Sequence, residues 1–233
     1  MNREILVFGS CGVLGSGVVE KIRLAGFNKV WLFGTRFEGI PKHNEEWVVV
    51  SDLSNEENVK DTFKNVVPAK DKFLFLFSTI GGYLGGKEIE DTSLDDIEKM
   101  FSMNLKTNFN ILKEFKKLAA DSAGGSAIFT SAMTAFTGES GKSAYGASKA
   151  ALSYLVETAS EEGRKINMSV NAIAPFILDT PDNRSWVPND EHETLIKPTE
   201  VGDLILSLFD NFHFISGNII KLRYRFPIGN IQS

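Results

Sequence analysis

Tyr145 and Lys149 stand four residues apart in Ser-Ala-Tyr-Gly-Ala-Ser-Lys, the spacing that puts two side chains on one face of a helix. A phenol in that position suits hydride chemistry. When hydride reaches a carbonyl or imine carbon, the heteroatom gains negative charge that a placed acid must neutralise. With an ordinary pKa of about 10, a phenol needs a neighbouring cation to give up its proton at neutral pH. Lys149 is that cation, and it is also in reach of a ribose hydroxyl. Near the other end of the chain, Gly9-Ser-Cys-Gly12-Val-Leu-Gly15 joins an apolar run to an amphipathic one. Such a turn must bend sharply, bring backbone amides to a pyrophosphate and let helix and strand pack closely, and each demand excludes a β-carbon. Glycines 9, 12 and 15 fit these three tasks, and the following helix aims its N-terminus at the phosphates. Together the two motifs read as a nicotinamide-dependent oxidoreductase. Tyr83-Leu-Gly-Gly-Lys87 repeats the tyrosine-lysine spacing, but its two glycines oppose a helix, so Tyr83 is read as a loop tyrosine.

The elements that must hold these groups follow from periodicity. Short apolar runs at residues 5–8, 30–33, 47–50, 73–77, 127–130, 168–173 and 218–222 alternate with amphipathic segments at 15–26, 55–66, 93–120, 144–163 and 199–210. That alternation predicts an α/β fold, a single doubly wound Rossmann-type domain over residues 1–233 with a seven-stranded parallel sheet. Phe73-Leu-Phe-Leu-Phe77 is apolar at every position and belongs in mid-sheet. Thr199 is the expected cap of the last helix, and residues 175–198, with four prolines, read as a long functional loop.

The strand ends then supply cofactor contacts. Phe33-Gly-Thr35-Arg36 ends the second strand with a guanidinium where an acidic residue would select NAD. NADP(H) is therefore the expected cofactor, NAD(H) the alternative, and Glu38 competes with Arg36 for control of that corner. Asp52 and Leu53 lie at the adenine edge, and Gly81 and Gly82 end the fourth strand, where ligands bind in open α/β sheets. Cys11, Val13, Leu14, Pro175, Ile177 and Thr180 complete the expected cofactor-contact set.

By its motifs the chain resembles the short-chain dehydrogenase/reductase family over essentially its whole length. Asn104 in Met-Asn-Leu, Tyr145 to Lys149, and Ser169-Val-Asn-Ala-Ile-Ala-Pro175 fall in that family's order and spacing. The resemblance implies a water-linked relay from Asn104 to Lys149; read from its surroundings alone, Asn104 is an interior amide serving a kinked helix. The family serine that polarises the substrate oxygen sits about thirteen residues before the tyrosine, as the resemblance implies, and that position here is Ala132. Ser131 is the expected substitute after a one-residue shift, with Thr134 as the other hydroxyl. Gly-x-x-Gly-x-x-Gly in place of Thr-Gly-x-x-x-Gly-x-Gly, Pro175-Phe176 in place of Pro-Gly, and Leu178-Asp-Thr-Pro-Asp-Asn-Arg184 are closer to the dihydropteridine reductase branch. That branch uses NADH, so Arg36 departs from it. Tyr83, by the same resemblance, lies near the active-site mouth.

Charge and composition exclude other classes. The formal charge of -5 comes without a lysine and arginine cluster, which disfavours nucleic acid or an anionic membrane surface as partner. Lone Cys11 allows no internal disulfide or cysteine-based metal site, and no apolar run reaches bilayer-spanning length. With no basic segment and cleavage signal at the start, the expectation is a cytoplasmic protein. His43, His192 and His213 show no metal-ligand spacing. Expected partners are a small-molecule substrate and further copies of the chain, a homodimer or homotetramer formed through the small-residue face of the helix at 144–163. Three functions are open: reduction of a small carbonyl or quinonoid imine, general ketone or 3-oxoacyl reduction, and cofactor binding without turnover.

Overall fold

A computed structural model of the protein describes residues 1–226. The seven strands are β1 (Asn2–Phe8), β2 (Lys29–Gly34), β3 (Glu45–Val49), β4 (Lys72–Ser78), β5 (Gly124–Thr130), β6 (Met168–Pro175) and β7 (Ile219–Leu222). They form one parallel sheet in the order β3-β2-β1-β4-β5-β6-β7. The order reverses between β1 and β4, so the glycine turn after β1 and the loop after β4 flank the crevice where open sheets take ligands.

The all-apolar β4 shows why this strand is central. Phe73, Phe75 and Phe77 join Ile5, Val7, Val18 and Ile205 in the core on one face of the sheet. Leu74 and Leu76 point the other way and meet Phe115, Phe129 and Val156. Period-two alternation of side chains makes both faces apolar, and helices cover both. On the first face lie α1 (Val13–Ile22) and α7 (Pro198–Asp210); on the second lie α2 (Glu56–Phe63), α3 (Leu94–Phe101), α4 (Thr107–Asp121) and α5 (Ser143–Gly163). A short α6 (Pro181–Arg184) follows β6.

Three expectations are corrected. The helix expected over 93–120 is interrupted: between α3 and α4, Ser102–Lys106 is π-helical. Widening to i→i+5 bonding leaves carbonyls that need other donors. Asn108 Nδ2 donates to the Asn104 carbonyl at 2.8 Å, and Thr107 Oγ1 to that of Ser102 at 3.0 Å. Secondly, Thr199 does not cap α7; Lys197 holds that place without a side-chain bond, and Pro198 occupies the first turn, where its missing N–H is no loss. Thirdly, residues 175–198 are not all loop. Thr180 Oγ1 accepts from the Asn183 N–H at 3.1 Å and caps α6, and a 3₁₀ turn spans Asn189–Thr194.

The glycine turn separates two kinds of glycine. Gly9 has φ +78°, and a Cβ on Gly15 would collide with the Gly9 carbonyl oxygen. Gly12 is different: its φ of -75° suits any residue, and a Cβ there would meet only the Gly9 oxygen, at 3.5 Å. Gly15→Ala is therefore expected to destabilise by about 1–3 kcal/mol through overpacking, lowering Tm by roughly 3–10 °C. Gly12→Ala is expected to stay within about 1 kcal/mol of the parent. Thermal denaturation of the two variants checks this, and equal losses would contradict it.

Candidate active site

Lys149 and Tyr145 share the first turns of α5. The ammonium lies 6.0 Å from the centre of the Tyr145 ring and is only 4% exposed. Its one hydrogen-bond acceptor among the described residues is the Thr130 carbonyl at the end of β5, at 2.8 Å. Asn104 comes to the same place from the π-helical turn. Its Oδ1 accepts from the Gly82 N–H at 2.9 Å, and its Nδ2 donates to the Gly82 carbonyl at 3.0 Å and to Ser148 Oγ at 2.9 Å. Ser148 Oγ in turn donates to the Tyr145 carbonyl at 2.8 Å. Gly81 marks where the two groups converge: a Cβ on it would sit 2.5 Å from Asn104 Oδ1 and 2.9 Å from Lys149 Nζ.

Burial, rather than the neighbouring ammonium, governs both titrating groups. It pushes the Tyr145 phenol up to about 12, with Tyr83 and Glu139 adding to the rise, and pushes Lys149 down to about 8. The expectation that Lys149 lowers the phenol pKa is thus not met: burial raises it, and the ammonium, 6.0 Å from the ring centre, does not offset that. The consequence suits reduction: at neutral pH the phenol holds the proton it must deliver, and Lys149 is still charged.

Ser131 does not meet its expected role. Its hydroxyl is buried against α5, 2.7 Å from Ser153 Oγ and donating to the Lys149 carbonyl at 3.2 Å. Pleating explains this, since consecutive residues at a strand end face opposite ways, and the position facing the other way is Ala132. Thr134 Oγ1 donates to Glu139 at 2.9 Å, and Lys142 holds the other Glu139 oxygen at 2.6 Å.

The expected cofactor contacts gather along the carboxyl ends of β1, β2, β4 and β6. The first-turn amides of α1 around Val13 and Leu14 have no intrahelical acceptor, Gly12 gives them no side-chain cap, and the first turn carries no acid. An anion fits there, and the open space over Gly12 is what a pyrophosphate would fill. Cys11 Sγ donates to the Arg36 carbonyl at 2.7 Å, tying the turn to the end of β2. Thr35 and Arg36 are exposed, and neither Arg36 nor Glu38 is in an ion pair among the described residues. Asp52 lies beyond β3, not at its end, and its carboxylate accepts from the Ser54 N–H at 2.9 Å. Leu53 is buried below it. Pro175 closes β6; the Ile177 carbonyl accepts from the Ile196 N–H at 3.1 Å, and Thr180 caps α6.

Sequence reasoning missed the supports. Asn108 receives the Ser78 hydroxyl at 2.7 Å and donates to the Ile80 carbonyl at 3.0 Å, fixing the loop that carries Gly81 and Gly82. A second asparagine four residues after Asn104, and so on the same helix face, is its signal. Tyr83, set aside as a loop residue, lies against Tyr145, as the family resemblance implied for the site mouth.

Two expected outcomes test this geometry. Tyr145→Phe keeps the ring and removes the proton donor, so turnover is expected to fall roughly 10²- to 10⁴-fold in steady-state assays, with cofactor affinity nearly unchanged. Lys149→Met removes a buried, under-bonded ammonium and should raise Tm of the cofactor-free protein by roughly 2–8 °C while abolishing activity. The sign of its pH dependence follows from a folded pKa near 8 against 10.5 for an ordinary lysine. The unfolded chain binds the extra proton between those values, so the burial cost stands in full below pH 8 and fades as pH rises toward 10.5. The advantage of Lys149→Met should fade over the same window in thermal melts.

Comparisons with known proteins identify the family. The short chain dehydrogenase family profile matches residues 3–191. Dihydropteridine reductase of Dictyostelium discoideum is 29% identical over 213 residues, covering 91% of this chain and 89% of that protein. The 3-oxoacyl-(acyl-carrier-protein) reductase of Thermotoga maritima is 25% identical, covering 79% and 78%. Among solved structures, ElxO with NADP bound superposes with a TM-score of 0.78 at 20% identity, covering 96% of this chain and 98% of that one. A 3-hydroxyacyl-CoA dehydrogenase type-2 from Mycobacterium avium gives 0.81 at 19% identity, covering 97% and 96%. The chain belongs to the short-chain dehydrogenase family of oxidoreductases.

Proposed function

We propose that this protein is an NADPH-dependent reductase of small carbonyl or quinonoid imine substrates, with Tyr145 as the proton donor. The observation that carries this reading is the convergence of Lys149 and Asn104 at Gly81, with the Tyr145 ring 6.0 Å from the ammonium and its phenol held in the protonated form. NADP(H), when bound, supplies the hydride. Gly9 to Gly15 cradle its pyrophosphate, and Lys149 binds the nicotinamide ribose while its charge stabilises the phenolate left after proton transfer. Asn104 joins the π-helical turn to Gly82 and so sets the floor of the cleft.

Within that reading a quinonoid imine is favoured over a simple ketone. Ser131 is committed to α5 and Thr134 to Glu139, so neither of the two hydroxyls expected to polarise a ketone oxygen is left to do so. An acceptor already activated by conjugation needs only the phenol. The similarity to a dihydropteridine reductase is consistent with this; similarity to a 3-oxoacyl reductase supports the ketone reading. NADPH oxidation followed with a quinonoid dihydropterin, 2,3-butanedione and acetoacetyl-CoA separates them. Turnover confined to the acyl thioester would overturn the preference, and tight cofactor binding with no turnover on any of them would favour a regulatory protein.

Arg36 carries the cofactor assignment. Arg36→Ala is expected to weaken NADPH binding roughly ten- to a hundredfold, from about 1.5–3 kcal/mol of charge-assisted contact, with little effect on NADH. Fluorescence titration measures both. Parent protein that prefers NADH would move the assignment to NAD(H). The reading also includes a cytoplasmic setting and a homodimer or homotetramer. Phe101, Leu105, Phe109, Tyr154 and Leu155 line a groove of about 840 Å³ between the π-helical segment and α5, and Phe109 and Tyr154 are exposed there. A second copy would cover them, so Phe109→Glu should shift light-scattering mass toward the monomer.

A further inference from the structure

Tyr83 lies outside every helix and strand and is 61% exposed, yet its ring meets that of Tyr145 edge-on, with centroids 5.0 Å apart and planes at 78°. The loop that carries it is fastened to the loop ahead of α5 at two points. The Gly86 N–H donates to the Gly141 carbonyl at 2.7 Å, and Ser140 Oγ donates to Glu88 at 2.5 Å. Gly85 fits against the ring: a Cβ there would strike the Tyr83 hydroxyl and lie 3.0 Å from the Gly141 oxygen. The ring is therefore backed by its own loop, and its contact with Tyr145 spans two segments joined by hydrogen bonds.

We propose that Tyr83 is a positioning residue for the reaction: its ring closes the outer side of Tyr145, fixing that phenol over α5 and shutting bulk water away from it. The inference rests on Tyr145 being the proton donor. Three groups act on the phenol from the elements packed around it. Lys149 comes from α5 itself, Tyr83 from the loop after β4, and Glu139 from the loop after β5. Glu139 is bound in turn by Thr134 and Lys142. Burial is the largest cause of the high phenol pKa; charge repulsion from the Tyr83 hydroxyl comes next and is the smaller part. Taking away the Tyr83 ring admits water and eases loss of the Tyr145 proton, whereas taking away only its hydroxyl leaves most of the shield. The edge-to-face contact itself contributes about 0.5–1.5 kcal/mol, enough to hold a rotamer and too little to hold the fold.

Tyrosine labelled with ¹³C at Cζ reads this directly. The chain has four tyrosines, at 83, 145, 154 and 224, and Tyr145→Phe assigns the signal. In the parent protein the Tyr145 signal should keep its protonated shift up to about pH 11; in Tyr83→Ala it should titrate lower by about one unit or more, and Tyr83→Phe should stay close to the parent. With a quinonoid dihydropterin as substrate, the alkaline limb of kcat in Tyr83→Ala should move with the signal while KM for NADPH holds. A Tyr145 signal unmoved in Tyr83→Ala overturns the proposal, whatever the activity. So does a shift of equal size in Tyr83→Phe, since the ring would not be the cause. Parent-level turnover by Tyr145→Phe would instead sink the proton-donor reading and leave the titration to be judged separately.

Discussion

The ammonium of Lys149, buried under the sheet's carboxyl edge with a single carbonyl acceptor among the described residues, is the constraint from which the rest of the site follows. A lone cation in such a place costs the fold several kcal/mol, and it is tolerable only where its surroundings admit no better use of the space. Gly81 leaves the gap into which Nζ projects, and the Thr130 carbonyl faces it because β5 ends there. α5 must therefore start close to the end of β5, which brings Tyr145 over the crevice where the strand order reverses. Position and chemistry have one origin.

Asn104 shows how the opposite wall is made to match. An ordinary α-helix from Leu94 to Asp121 would present one residue to the Gly82 backbone at a fixed pitch. The π-helical turn inserts an extra residue and lets the Asn104 amide bond both Gly82 groups and Ser148 at once. Asn108 and Thr107 then take up the carbonyls the wider turn releases. Asn104 is thus an interior amide serving a widened helical turn, as its surroundings alone predict.

All seven strands and five of the longer helical segments were legible in the sequence, because an apolar run of four to six residues beside a 3.6-residue periodicity has few other solutions. The glycine turn and Tyr145 with Lys149 were legible for the same reason: their spacing has a geometric meaning within one turn. What escaped was set by contacts between segments. Nothing in residues 93–120 distinguishes i→i+5 from i→i+4 bonding. The direction of Ser131 depends on a one-residue pleat, and a slip of one turns a side chain to the other face. Tyr83 looked like a chance repeat because its partner is sixty-two residues away and the glycines around it argued, correctly, against a helix.

The commitment of Ser131 to α5 and of Thr134 to Glu139 shapes what chemistry remains. In a site with a serine, two donors share the charge that develops on a carbonyl oxygen, and an oxyanion-type donor is worth about 3–4 kcal/mol of transition-state stabilisation. With Ser131 turned into α5 and Ala132 at the position where the resemblance implies a serine, that share is not supplied by a serine. A buried phenol with its pKa near 12 is a weak acid, and it delivers its proton only to an acceptor that becomes a strong base as hydride arrives. On the proposed reading, an acceptor already activated by conjugation takes hydride without a second donor, whereas a ketone oxygen starts unpolarised. The burial that keeps Tyr145 protonated then leaves activation to the acceptor itself, and Lys149, still charged at neutral pH, faces the phenolate that would result.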